Sequence, residues 1–243
     1  MHPVYYDLHI HSALSPCADD DMTPNDIVGM AILNELDLIA VTDHNSLSNA
    51  EPVVKAARIA KTQSGKELIV LPGIEVSTVE EVHVLCLFYD IESAQSFEAE
   101  LAPLYSTLPN RVSIFGNQIL FDENDHITGK MERMLFAPVS ISFDMLHQLV
   151  NKHEGAFIPA HIDRDSFSVI SNLGFLPPHL SISTLEVSPG GMERGFYKSN
   201  PDLFTDKNVI FSSDAHQLWA INEKEHFLML PERSARAAID FLR

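Results

Sequence analysis

The chain has 243 residues, 45% hydrophobic and 21% charged, the balance of an ordinary globular protein able to bury roughly three-quarters of its unfolded surface. Two cysteines, Cys17 and Cys86, give neither a disulfide framework nor a zinc-ribbon spacing, and no apolar stretch reaches bilayer length, so a cytoplasmic protein with no membrane partner is expected. The formal net charge of -18 argues against long nucleic acid as a partner, because sequence-independent affinity for phosphate backbones comes from Lys and Arg.

Short apolar runs rich in β-branched residues recur along the chain and read as buried strands. They are Val4 to Leu8, Leu36 to Val41, Leu68 to Leu71, Val82 to Phe88, Ala156 to Pro159, Ile182 to Val187, Val209 to Phe211 and Phe227 to Leu230. Helical signals lie between them. Thr23 before Pro24 is an N-cap followed by proline at the first helical position, with Asp26 in the first turn. Ser46 could cap a helix running to about Thr62, and Ser142 to Lys152 and Glu232 to Leu242 have helical spacing. Strands alternating with helices predict an α/β fold with a mostly parallel sheet. Eight such strands in one domain spanning 1–243 point to a closed or nearly closed β/α barrel, with an open doubly wound sheet as the alternative. Residues 110–133 break the alternation and read as a β-hairpin insertion around a turn at Asp122 to Asp125. Such an insertion is either a decorative loop or a lid over the barrel mouth.

The chemistry-bearing residues begin with Asp7-Leu8-His9-Ile10-His11-Ser12. Side chains two apart on a strand share a face, so His9 and His11 project together as two ligands of one metal must. A lone pair of this kind is often only a half-exposed strand face. Four further histidines border strands: His44 in Thr42-Asp43-His44-Asn45, His83 at the start of its run, His161 after Pro159-Ala160, and His216 in Ser213-Asp214-Ala215-His216. Glu75 follows an apolar run, and Asp214 repeats the two-residue spacing with His216. Strand ends converge on one face of a β/α barrel, where active sites lie. A carboxylate there can bridge two cations. Arg164, three residues past His161, either clamps a phosphate or pairs with a nearby carboxylate such as Asp163 or Asp165. Neither a Ser-His-Asp arrangement nor a Gly-rich phosphate loop is visible.

With these motifs in place, the chain resembles the PHP (polymerase and histidinol phosphatase) family over nearly its whole length. The resemblance implies a distorted (β/α)7-type barrel and a metal-dependent phosphoesterase holding two or three divalent ions of zinc, manganese or iron. It implies a first metal on His9, His11, Glu75 and Asp214, a second on Glu75, His83 and His161, and a third on His44, His216 and a loop carboxylate. Many members carry a Ser-Asp-Gly turn in that loop. This chain reads Ser15-Pro16-Cys17-Ala18-Asp19-Asp20-Asp21 instead: any of the three aspartates could be the ligand, with Asp21 the first choice and Asp19 the second, and the hard, oxygen-rich set favours a structural role for Cys17 over a soft ligand. Asp7 and Asp43 would orient ligands. A metal-activated water would attack phosphorus, Arg164 would neutralise phosphate charge, and His216 or His44 would protonate the leaving group. The implied partner is a small phosphorylated metabolite such as histidinol phosphate, or a nucleotide, nucleoside bisphosphate or short oligonucleotide. The alternative is a catalytically silent module with a regulatory or structural role, against which stands the retention of every strand-end ligand position.

Overall fold

The computed structural model describes residues 1–243. The chain opens with β1 (His2–Ile10), α1 (Pro24–Leu33), β2 (Leu38–Val41), α2 (Ala50–Ser64), β3 (Ile69–Ser77), β4 (His83–Leu87) and α3 (Ile91–Leu101). It continues through α4 (Val112–Phe115), β5 (Ile119–Phe121), β6 (Ile127–Lys130), α5 (Phe143–Lys152), β7 (Ala156–Pro159), α6 (Val169–Leu173) and β8 (Thr184–Glu186). Then come α7 (Pro189–Glu193), α8 (Phe196–Ser199), β9 (Asn208–Ile210), β10 (Phe227–Leu230) and α9 (Ala235–Leu242).

The main sheet has the order β10-β1-β2-β3-β4-β7, and β8 pairs with β9 in parallel. The Ile162 amide, just past β7, donates to the Glu186 carbonyl on β8 at 3.0 Å. Beyond β9 the chain returns to β1, where Ile10 and Ala215 form a parallel bridge and the His11 amide donates to the Ala215 carbonyl at 2.9 Å. The sheet therefore curls into a distorted barrel of β1, β2, β3, β4, β7, β8 and β9, with β10 an antiparallel extension of β1. One departure from a mostly parallel sheet is β4, which runs antiparallel to both β3 and β7. Only residues 78–82 separate β3 from β4. A parallel crossover needs a dozen or more residues, so the strand must turn back.

Alternation along β2 shows how the layers separate. Leu38 and Ala40 join the cluster of Leu8, Leu71, Leu85 and Ile158, on which α9 packs through Ala238 and Ile239. Ile39 and Val41 face the other way, with Val28 and Ala31 of α1 and Val53 and Ala57 of α2. Pocketed on a third face, Phe97 of α3 and Leu146 of α5 cover Val84, Cys86 and Phe157. No helix is long and apolar enough to cross a membrane.

Caps fix the helix starts. The Thr23 side chain accepts from the Asp26 amide ahead of Pro24, and Ser142 and Ser234 cap α5 and α9 in the same manner. The helix expected from Ser46 begins only at Ala50, because the Ser46 hydroxyl is held by Ser48. Asn49 precedes α2, yet its side chain serves other partners: it donates to Ser12 Oγ and the Ile119 carbonyl and accepts from the Phe121 amide. Residues 110–133 contain the hairpin of β5 and β6 together with α4. This segment is tied to the loop after β1, with the Ile119 amide donating to the Ala13 carbonyl at 2.7 Å and Asn117 donating to Asp20 at 2.7 Å.

Candidate metal centre

The strands deliver their polar side chains to one end of the barrel. β1 carries His9, and His11 follows it directly, both fully buried. Glu75 lies within β3, which runs past the expected end at Leu71 because the Glu75 backbone pairs with the stretch holding Asp43 and Asn45. His83 is the first residue of β4, and the reversed direction of that strand brings its start to the same end. His161 follows β7, and Asp214 and His216 follow β9.

Glu75 is the hub of the arrangement. Its Oε1 lies 2.9 Å from His83 Nδ1, 3.2 Å from His161 Nε2 and 3.4 Å from His9 Nε2. Its Oε2 lies 2.8 Å from His44 Nδ1 and 3.5 Å from His11 Nε2. Asp214 Oδ1 approaches His11 Nε2 at 3.0 Å and His9 Nε2 at 3.2 Å. Three groups bring donor atoms within 4.8 Å of one another: His11 with His44 and His216, His9 with His11 and Asp214, and His44 with Glu75 and His83. Backbone strain accompanies the donors. His161 (φ 31) and Asp214 (φ 53) occupy the left-handed region, which non-glycine residues enter where surrounding structure forces them.

The electrostatics are those of a dense buried pair network. Burial would raise the Glu75 carboxyl, but His83, His9 and His44 hold it well below the usual carboxylate range. Burial pulls His44 down, yet the Glu75 charge and the Cys17 side chain outweigh it and push its pKa up to about 10. His11 falls well below the ordinary imidazole value through burial, reinforced by His216 and His44. Asp43 is raised to about 6 by burial, against the hydrogen bonds it receives from Ser12 and Ser15.

The residues fit divalent cations on a direct test. His161 Nδ1 is buried without a hydrogen-bond partner, Glu75 Oε2 has the His44 ion pair at 2.8 Å but no contact of hydrogen-bond geometry, and His9 Nε2 faces His11 Nε2 at 3.1 Å. Buried polar atoms are rarely left unpaired. Converging imidazole lone pairs beside carboxylate oxygens form the nitrogen and oxygen donor set that zinc, manganese and iron accept.

Orienting contacts surround these donors. Asp43 accepts from Ser12 Oγ at 2.6 Å and Ser15 Oγ at 2.7 Å, and Ser15 Oγ lies 2.9 Å from His11 Nδ1. Asp7 holds backbone instead, accepting from the Ser213 and Asn222 amides. The residue that sequence reasoning missed is Glu186. It is 1% exposed, its two oxygens lie 3.0 and 3.1 Å from His9 Nδ1, and it accepts the His161 amide at 3.0 Å. Its only sequence signal is a carboxylate inside an apolar strand.

Two expected residues stand differently. Asp21 is exposed and belongs to none of the three donor groups, as are Asp19 and Asp20. The three aspartates lie on the outer part of the loop, where Asp20 is taken by Asn117. Cys17 in the same loop is exposed; partial burial raises its thiol, but the neighbouring His216 and His44 bring the pKa below the ordinary thiol value. Arg164 pairs with Asp214 Oδ2 at 2.7 Å, not with Asp163, which is engaged by Ser188 and Arg194. The guanidinium is 41% exposed at the rim.

Comparison with known proteins adds to this geometry. A model of the PHP domain matches residues 7–170. The chain is 36% identical over 91 residues to the 5'-3' exoribonuclease Rnm of Salmonella typhimurium and, equally, of Escherichia coli, an alignment covering 36% of this chain and 29% of either relative. Its fold is similar to that of the lesion-specific endonuclease PfuEndoQ from Pyrococcus furiosus, with a TM-score of 0.67 and 16% identity over 99% of this chain and 56% of that one. A two-domain protein from Bacteroides vulgatus containing a predicted PHP-like metal-dependent phosphoesterase matches with a TM-score of 0.53 and 16% identity, covering 99% of this chain and 62% of that one. Endonuclease Q is also known in complex with a 27-mer duplex substrate. These relatives overturn the expectation of a small phosphorylated metabolite with long nucleic acid excluded. The net charge sums fixed charges over the whole surface and omits bound cations, which reverse the sign where a phosphate would sit. Matched to the PHP domain model over residues 7–170, with the strand-end histidines and carboxylates gathered at one end of its barrel, the chain belongs to the PHP domain family.

Proposed function

We propose that the chain is a metal-dependent phosphoesterase that hydrolyses phosphodiester bonds of nucleic acid. The observation that carries the reading is Glu75, a single carboxylate with five imidazoles within 3.5 Å of its two oxygens. A carboxylate so placed suits cations about 3.5–4 Å apart, as in two-metal hydrolases of phosphate esters. Two or three ions of zinc, manganese or iron fit the donors, on His9, His11, Glu75, Asp214, His83, His161, His44 and His216. Nucleic acid is supported as the substrate class by the curated relatives, which are exoribonucleases. The matched stretch is under a third of their length, so substrate and direction of attack belong to this proposal.

When bound, the ions would supply an activated water and offset charge on the phosphoryl oxygens. The chain's own groups do the rest. Glu186 holds His9 Nδ1 and Ser15 holds His11 Nδ1, so both Nε2 atoms are kept facing the centre. His216 Nδ1 donates to the Asp214 carbonyl at 2.7 Å, which leaves Nε2 directed away from that contact. Where no ion takes its Nε2, His216 can pass a proton to a leaving alkoxide: burial lowers its pKa, but Cys17 and Asp214 outweigh this and raise it above the ordinary value. Arg164 reaches a substrate oxygen from the rim while steadying Asp214.

The test is elemental analysis of metal-supplemented protein together with release of mononucleotides from a 5'-labelled oligoribonucleotide. Divalent ions in excess of one per chain and chelator-sensitive release are expected. Metal-free protein, or metal-loaded protein inert towards oligonucleotides, refutes the reading. Arg164→Ala should retain metal and lose roughly one to two decades of catalytic efficiency, the worth of a charge-assisted contact, with Arg164→Lys rescuing only part.

A further inference from the structure

Two phenylalanines stand exposed beside the candidate centre. Phe136 is 38% exposed and Phe167 is 45% exposed. Single exposed apolar residues are ordinary and need no explanation. These two are distinguished by what lies beneath them. The Phe167 ring stacks on His83, with centroids 4.8 Å apart and planes at 22°. The Phe136 ring lies 5.2 Å from His44. His44 and His83 are themselves 5.3 Å apart and, with Glu75, form one of the donor groups. The phenylalanines thus flank the open side of that group.

Their backbones are held more firmly than exposed loop residues require. Asn45, buried between strands, donates to the carbonyls on both sides of Phe136, Leu135 at 2.7 Å and Ala137 at 3.1 Å. Phe167 has φ 56, a left-handed conformation that a bulky side chain enters only under constraint, and its carbonyl accepts the His83 amide at 2.9 Å. Inside the hairpin insertion, Phe115 braces Phe136 edge-on with centroids 6.1 Å apart. Rigid, solvent-facing rings next to a phosphoester-cleaving centre are what base stacking requires, and stacking tolerates any base because every base has a π-face.

We propose that Phe136 and Phe167 form a platform on which nucleobases next to the scissile phosphate stack, so that the centre takes single-stranded or unpaired ends. This rests on the reading of the chain as a nucleic-acid phosphoesterase. A stacked base cannot remain paired face-on within a duplex, so the platform selects frayed or single-stranded substrate.

The experiment uses the full, metal-loaded chain and two probes: an oligoribonucleotide, and its counterpart with abasic residues at the two 5'-terminal positions. The wild type should favour the base-bearing probe by roughly tenfold or more, the size of one or two base–aromatic stacks. Phe136→Ala and Phe167→Ala should each shrink that preference roughly fivefold or more, while Phe167→Trp and Phe136→Tyr restore it, with metal content equal throughout. A wild type that treats both probes alike, or alanine variants that keep the preference, overturns the platform and leaves the phosphoesterase reading standing. Alanine variants that lose metal also overturn it, since the rings would then serve only to support His44 and His83. Failure of the wild type to cleave either probe removes both proposals.

Discussion

Glu75→Gln keeps the size of the side chain and removes the charge shared among five imidazoles. Hydrolysis should fall at least about a hundredfold with the fold retained, read as turnover alongside circular dichroism. Glu186→Gln acts one step further out. An amide offers His9 Nδ1 a weaker acceptor, and metal affinity should drop roughly tenfold to a hundredfold while a melt in chelator moves less. Unchanged affinity would remove Glu186 from the site. His44 gives a pH dependence. Its folded pKa of about 10 exceeds the unfolded value near 6.5, so its pairing with Glu75 stabilises the metal-free chain fully below that value and is lost as pH rises through about 10. Metal must displace this proton, so apparent affinity should climb by up to about one decade per pH unit between roughly pH 6 and 9 for each proton released. Chelator competition across that range checks it, and a flat profile refutes it. At this scale the strand-end histidines were legible because each motif is local in sequence. Glu186 was not, since its partner His9 lies 177 residues away. Asp21 stands exposed, since nearness to the loop end says nothing about which way the loop faces.

Among the elements, the eight apolar runs all became strands; Thr23 marked the start of α1, spacing alone marked α5 and α9, and the cap expected at Ser46 did not hold. α3 escaped notice although Asp90 caps it and Ala94, Phe97 and Leu101 trace one buried face. The direction of β4 was readable only from the length of its connection to β3, and not from its composition. The hairpin insertion offers a sharp test of how the mouth is built. Gly116 has φ 89, and a Cβ there would lie 2.5 Å from the Pro16 carbonyl oxygen, in the loop that also carries Cys17. Gly116→Ala should destabilise by more than about 1 kcal/mol, lowering the melting temperature by about 2–4 °C per kcal/mol. Gly29→Ala, in the interior of α1 with nothing within 4 Å of the new methyl group, should be neutral or stabilising by up to about 1 kcal/mol. Equal effects in thermal melts would show that the insertion does not lean on that loop.

Over the whole molecule, the charge of -18 governs long-range encounter even where it did not anticipate the nucleic-acid substrates of the relatives. Basic nucleic-acid enzymes lose affinity as salt rises. Here added monovalent salt, at fixed divalent ion, screens repulsion, so KM for an oligonucleotide should stay flat or fall between about 50 and 200 mM KCl. A steep rise would refute this and show that clustered Lys and Arg dominate binding. The closure of the barrel has another consequence. Two of the three donor groups join residues at the end of β1 or just beyond it to Asp214 or His216, so neither exists until the last fifth of the chain has met the first. Cations should therefore be captured after the rate-limiting contacts form. Refolding should run at the same speed with or without them, and unfolding should slow by a factor approaching one plus the ratio of free ion to its dissociation constant. Ion occupancy would then govern how long each molecule survives, and not how quickly it is made.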